Sequence, residues 1–327
     1  LARQISSLFR RALALSHHQF VNQFVQLQAG AEGLTIQAST AQCGVVYHDA
    51  APLPPQQLQA PLELFKAVGS TKHDLVKLVE LDDGKVLARW QDGSVPRQAQ
   101  WNSRNERPLN AMPEGPLSFT DNPPELVVAI REAMATMDAS PTRFALNCLR
   151  LRGSDGSLVA TDGHQIFKQL GFRFGFEDDV LFYPADVFDA KDLPTNKPVS
   201  MGRTVQHIVL KIGPWSFFQP IEKDRRFPRI EDVVPPIDNT GSTLDWQSAD
   251  AAFLVDSLRR LPGTEDTNQP VTVDLNGKVA IRAQAAADAQ PTELVLQNSQ
   301  RSGAEIRLAT DRRFLSRAAE LGFNRVY

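Results

Sequence analysis

Two cysteines, Cys43 and Cys148, are all that 327 residues contain. A pair in a chain this long makes no disulfide framework, and a reducing cytoplasm is the default setting for it. Long apolar runs are missing too. None approaches the roughly 20 residues that a membrane-crossing helix needs, and no basic stretch leading into an apolar one marks a signal peptide. The histidines show no ligand spacing: His17 and His18 are adjacent and the rest are scattered, so no metal site is expected. Neither a Walker-type nor a dinucleotide glycine motif is present, and no cofactor is expected. Charge is nearly balanced, with 35 Lys and Arg against 38 Asp and Glu, a net of −3. That balance argues against a protein that grips nucleic acid with its whole surface, but leaves room for one basic face.

What the chain does have is internal repetition. Hydrophobic residues make up 42% of it, enough for two or three domains of about 100–150 residues. Three segments share a glycine-containing turn followed by alternating apolar residues: 30–38, 153–161 and 276–283. Each reads as the turn and second strand of a β-hairpin. The turn glycines Gly33, Gly156 and Gly277 recur at intervals of about 120 residues. A short amphipathic helix follows at the same interval, over 61–68, 184–190 and 310–318. Another precedes each hairpin. Apolar residues at 5, 8, 9, 12 and 13 lie on one helical face, and 126–134, capped by Asp121 or Asn122, and 252–261 do likewise.

The chain is therefore read as α+β, three copies of one unit: helix, hairpin, further strand, helix, two more strands. In the first copy the last strands are 75–81 and 85–91, and in the second 207–212 and 215–221. Polar, proline-bearing linkers at 102–115 and 234–241 place the domains at 1–115, 116–238 and 239–327. In the third copy the chain reaches residues 324–327 where the first of the closing strands begins, so the internal register predicts about 30–40 further residues to complete it.

Two motifs of the second copy resemble those of the bacterial DNA polymerase III beta subunit, the beta sliding clamp. Ala160-Thr161-Asp162-Gly163-His164 follows its hairpin, and Phe227-Pro228-Arg229-Ile230-Glu231-Asp232-Val233-Val234-Pro235 closes it. Leu146-Asn147 and residues 302–306 fit the same pattern. The resemblance implies the DNA clamp fold, with helices on the inner face of each domain, sheet on the outer, and the last domain truncated. It also implies a head-to-tail homodimer closing into a ring around double-stranded DNA, read without regard to sequence. DNA polymerase and clamp loader subunits would bind through short linear peptides. Such a protein is non-catalytic and cytoplasmic, with no membrane partner.

Carried over by motif, the peptide pocket comprises Leu146, Thr161, Gly163, His164, Gln165, Ile166, Pro228, Asp232 and Val233. Gln165 and Asp232 stand where the family typically has arginine, and Glu231 adds a second acid beside Asp232. These departures leave open an alternative, a diverged clamp-like interaction scaffold that no longer encircles DNA. A sliding grip needs sparse cations that attract phosphates without reading bases. The DNA-facing candidates are Arg10, Arg11, Arg131, Arg259, Arg260, Arg312 and Arg313, with Lys66, Lys191 and Arg317 on the same helices, diluted by Glu63, Glu132 and Asp189. Asp162 and His164 could be read as a base and its orienter, but no nucleophile motif accompanies them, so a pocket-lining histidine is the reading adopted and no catalytic residue is assigned. Residues 172–176, Phe-Arg-Phe-Gly-Phe, could stack bases, but read more simply as alternating residues of an edge strand.

Overall fold

The computed structural model describes residues 1–69, 75–103, 109–140, 144–235, 241–263, 268–286 and 288–327. Parts of both expected linkers, 104–108 and 236–240, lie outside the described residues. The first repeat runs α1 (Ala2–Ala12), α2 (His17–Asn22), β1 (Phe24–Gly30), β2 (Gly33–Ser39), β3 (Gly44–Asp49), β4 (Gln56–Pro61), α3 (Leu62–Val68), β5 (Val76–Glu80), β6 (Lys85–Asp92) and β7 (Val95–Asn102). The second runs β8 (Thr120–Asn122), α4 (Glu125–Met134), β9 (Leu149–Arg152), β10 (Ser157–Thr161), β11 (Ile166–Gln169), β12 (Asp179–Phe182), a 3-10 turn, β13 (Val199–Arg203), β14 (His207–Ile212) and β15 (Trp215–Glu222). The third runs β16 (Thr243–Asp245), α5 (Ser248–Leu258), β17 (Pro270–Asp274), β18 (Ala280–Ala283), β19 (Thr292–Val295), β20 (Gln300–Ser302), β21 (Arg307–Asp311), α6 (Arg312–Glu320) and β22 (Arg325–Val326).

The three hairpins form where the glycines place them. Gly33, Gly156 and Gly277 all have positive φ, at 102°, 66° and 75°. The first is the most constrained, because a Cβ on Gly33 would sit 1.9 Å from the Asp49 carbonyl oxygen. Both the backbone region and the space exclude a side chain there. The helices follow their apolar stripes. Ile5, Leu8, Phe9 and Ala12 of α1 are fully buried, and Arg10 and Arg11 occupy its last turn, where the helix dipole favours cations.

These elements build two compact units, Leu1–Pro228 and Arg229–Tyr327. The first unit holds two repeats on one core, and the expected boundary at 115 falls inside it. Its sheet crosses that boundary: β3 pairs antiparallel with β15, with Trp215 opposite Tyr47 and Phe217 opposite Val45. Trp215 is 2% exposed. Its ring meets Tyr47 at 4.9 Å, Phe9 of α1 edge-on at 6.3 Å and Phe217 in a stack at 6.4 Å. The second unit has its own core, in which Leu254 and Leu258 of α5 join Val271, Ile281 and Leu315. There β16 pairs with β22 as β8 pairs with β13, so the repeat register extends to the last strand.

The structure corrects several expectations. The helix expected over 184–190 is a single 3-10 turn, Asp186–Asp189, with Val187 and Phe188 buried. Aspartates at both ends of so short a segment favour turn over helix. Neither Asp121 nor Asn122 caps α4; both lie in β8. The Asn122 side chain exchanges two hydrogen bonds of 2.8 Å with the Arg173 backbone, and α4 starts behind Pro123-Pro124 with Glu125 in its first turn. Residues 172–176 form no strand. Gly171 and Gly175, both at positive φ, curl the segment so that Phe172 and Phe174 are buried, which removes their rings from any base-stacking surface.

Gly33→Ala should lower stability by about 1–3 kcal/mol, whereas Gly30→Ala, where nothing lies within 4 Å of an added Cβ, should be near neutral; urea unfolding of the two variants checks this. Trp215→Ala should cost about 3–5 kcal/mol and lower the unfolding midpoint of both repeats of the first unit together, read by hydrogen exchange in β1 and β14.

Candidate functional site

The motif residues 161–166 form the turn between β10 and β11, with Thr161 opposite Ile166. The sequence makes this turn through its own polar side chains. Asp162 Oδ1 accepts from the backbone amides of His164 at 2.8 Å and Gln165 at 2.9 Å, and its Oδ2 accepts from the Gln165 side-chain amide at 3.0 Å. Thr161 Oγ1 donates to the Gln165 carbonyl at 2.6 Å and accepts from the Gly163 amide at 3.0 Å. Gly163 supplies the positive φ, 91°, with open space around it. Partial burial pulls the Asp162 carboxyl upward, but the amides that converge on it win and hold it below the ordinary aspartate range.

This geometry settles the role of Asp162. It binds the backbone of His164, not its ring, so the two do not form a base and its orienter. The turn presents exposed Gly163, His164 and Ile166, with Gln165 half-buried and Thr161 buried. Leu146 is half-buried in the first unit, and the neighbouring Ala145 amide donates to the Arg226 carbonyl at 3.0 Å, tying that segment to the chain leading into Pro228. Asp232 and Val233 belong to the second unit, at a 3-10 turn, Ile230–Asp232, where both are exposed.

Beside this segment lies a polar cluster that no sequence motif announces. Arg225 donates from Nε to Glu222 at 2.9 Å, and from Nη2 to Tyr183 Oη at 2.6 Å and Asn147 at 2.8 Å. The Tyr183 hydroxyl donates to Glu222. Burial pulls the Glu222 carboxyl upward, but these donors outweigh it and bring it down to about 2. Burial and the same carboxylate push Tyr183 up to about 12, and burial takes the Cys148 thiol up to about 12. The cluster joins residues 147, 183 and 222–225, too far apart in sequence for a local pattern to reveal.

The candidate cations divide sharply. Arg10 and Arg11 are exposed, Arg10 over the Phe20 ring at 6.0 Å and Arg11 donating to the Asp186 carbonyl at 3.4 Å. Arg260 is exposed and donates to the Asp256 carbonyl at 3.0 Å. Arg131 pairs with Glu132 at 3.1 Å, Arg259 with Glu320 at 3.2 Å, and Arg313 with Asp311 at 2.6 Å. Arg312 departs from the expectation altogether. It is 5% exposed, and its guanidinium donates to the carbonyls of Gln269, Leu258, Leu261 and Pro262 at 2.7 to 3.2 Å. It fastens the end of α5 to α6, with four of its five N–H donors committed to these carbonyls.

Solved structures with the same fold are DNA polymerase III beta chains. The sliding clamp (subunit beta) from Pseudomonas aeruginosa bound to griselimycin matches with a TM-score of 0.77 at 16% identity, over 99% of this chain and 89% of that one. The beta chain from Streptococcus pneumoniae matches at 0.75 and 12% identity, over 98% and 88%. That from Borrelia burgdorferi in complex with a natural product matches at 0.75 and 11% identity, over 99% and 89%. No family model and no curated protein sequence matches. The chain thus has the clamp fold, in a sequence far diverged from these structures. Among the described residues no helix is long and apolar enough to cross a membrane.

As pH falls from the ordinary glutamate range toward about 2, Glu222 is protonated in the unfolded chain before it is in the folded one, so the stability it contributes is full at neutral pH and lost across that window. Glu222→Gln should therefore cost up to about 3 kcal/mol at pH 7 and flatten the loss of stability on acidification, as measured by urea unfolding across that range.

Proposed function

We propose that this protein is a sliding clamp: a non-catalytic, cytoplasmic ring that encircles duplex DNA without sequence preference and confers processivity on a replicative polymerase. The observation that carries the reading is the likeness of fold to DNA polymerase III beta chains over nearly the whole chain. The chain supplies three repeats, divided at 1–115, 116–238 and 239–327, and a head-to-tail homodimer supplies six. Heterologous contacts close such a ring when the rotation closes. Exposed Arg10, Arg11 and Arg260 attract the phosphate backbone, with Arg131, Arg259 and Arg313 contributing after release from their carboxylates. Polymerase and loader subunits dock linear peptides at Leu146, Thr161, Gly163, His164, Gln165, Ile166, Pro228, Asp232 and Val233.

One set of observations favours a second reading, a clamp-fold scaffold that no longer encircles DNA. Arg131, Arg259 and Arg313 are paired with acids, Arg312 is buried, and Gln165 and Asp232 replace cations at the candidate pocket. Retention decides between the two. Loaded on nicked circular DNA, a clamp stays bound through gel filtration at 0.5 M-scale salt and is lost once the circle is cut, because its hold is topological while phosphate contacts are weakened by salt, on the order of 10³-fold or more for six to ten contacts. A chain that elutes as a 36.2 kDa monomer at micromolar concentration, or dissociates equally from circles and linear DNA, is the scaffold.

A further inference from the structure

Two of the residues proposed for docking, Leu146 and Pro228, lie outside any helix or strand. Leu146 sits in the turn before β9, which the Cys148 amide closes on the Ala145 carbonyl at 3.1 Å. Pro228 ends the irregular stretch that follows β15. Segments without a ladder take their shape from individual bonds, and here the bonds run from one segment to the other. The two residues that flank Leu146 are each held by one of two consecutive residues upstream of Pro228. Asn147 Oδ1 accepts from Arg225 Nη2 at 2.8 Å, and the Ala145 amide donates to the Arg226 carbonyl at 3.0 Å. The next residue, Phe227, carries the Arg150 guanidinium over its ring at 5.1 Å.

Arg225 supplies the side chain of this stitch, and Glu222 fixes it from behind. Glu222 Oε1 accepts from the amides of Asp224 at 2.8 Å and Arg225 at 3.2 Å, which turns the chain as it leaves β15. Its Oε2 holds Arg225 Nε at 2.9 Å, and Nη2 of the same guanidinium reaches Tyr183 Oη at 2.6 Å as well as Asn147. The Glu222 side chain is 7% exposed, so the anchor lies inside the fold while the far edge of the fork meets Asn147. A planar fork serves an acid on one edge and an amide oxygen on the other. A lysine ammonium could keep the acid, but it is a single point of charge and could not also hold the amide.

We propose that Arg225 is a positioning residue for peptide docking: it sets the Leu146 turn and the Phe227-Pro228 stretch in one register, so that both apolar contacts are presented at a fixed spacing. The docking role rests on the sliding-clamp reading; the stitch itself does not. A wall fixed before its ligand arrives spares the cost of ordering two loops on binding, so losing the bridge weakens docking even where the fold persists. Arg225 acts through Leu146 and Pro228, not by its charge.

Arg225→Lys, Asn147→Ala and the double variant, made in the full chain, test this. The probe is a linear peptide selected from a random displayed library on the unaltered chain, and kept only if Ile166→Glu abolishes its binding. Each single variant should weaken that peptide about threefold to tenfold, the span of one hydrogen bond. The double variant should weaken it no further, because both changes remove the same bridge. Without peptide, each should speed hydrogen exchange at the Ala145 amide and shift the Leu146 methyl resonances. Gly33→Ala, expected to lower the stability of the same unit, does not touch the stitch and should leave peptide affinity unchanged, which separates positioning from stability. Should Arg225→Lys fail to fold, Asn147→Ala carries the test alone. Unchanged affinity in both single variants, an additive loss in the double variant, or an equal loss in Gly33→Ala each overturns the proposal. A chain that yields no such peptide overturns the docking reading and, with it, this role; unaltered exchange and methyl shifts in the variants overturn the stitch alone.

Discussion

The pairing of β3 with β15 is the constraint on which the first 228 residues depend. Twelve strands could have made two separate sheets, one for each repeat; this single ladder makes them one, and Trp215 seals it by touching Tyr47 across the ladder and Phe9 on the helix behind. Burying an indole on both sides of a repeat boundary ties the fate of one repeat to the other, since neither can open without exposing it. Between the repeats, Asn110 and Ala111 are tied back to β2, their carbonyls sharing the Ser39 hydroxyl proton at 3.0 and 3.2 Å.

The parts that were legible in the sequence are those with a local physical cause. Gly33, Gly156 and Gly277 announced their hairpins because a turn with positive φ leaves few other choices, and α1, α4 and α5 announced themselves by apolar period. Each failure has a tertiary cause. The sheet fusion was hidden because β3 and β15 are ordinary strands whose partners are chosen by the whole fold. The stretch around Phe174 looked like a strand because alternation alone cannot register glycines that fold it back. Arg312 looked like a surface cation because its position in the first turn of α6 says nothing of the carbonyls that α5 brings to it. The Glu222 cluster has no signature short of the structure.

The arrangement of charge bears on how a nearly neutral protein could handle a polyanion. Its arginines are largely kept in company: with an acid, as at Arg131 and Arg259, over a ring, as at Arg10, or among carbonyls, as at Arg312. Exposed ion pairs of this kind are worth little to stability, so their partners are readily exchanged. A surface made of such pairs offers attraction that is small at each point and renewable at the next, whereas a cluster of unpaired cations would hold on.

The turn at residues 161–166 carries a consequence for how this chain could diverge. Thr161 and Asp162 make five hydrogen bonds in it, four of them to its backbone, and the side chain of His164 makes none of them. The frame and the exposed surface are thus separately encoded: substitutions at 164 and 166 can change the chemistry the turn presents while its shape persists. Gln165 is the exception. Its side-chain amide is drawn inward as a third donor to Asp162, so a substitution there would loosen the frame as well as change the surface, and the turn is free to vary only at the positions its own hydrogen bonds leave alone.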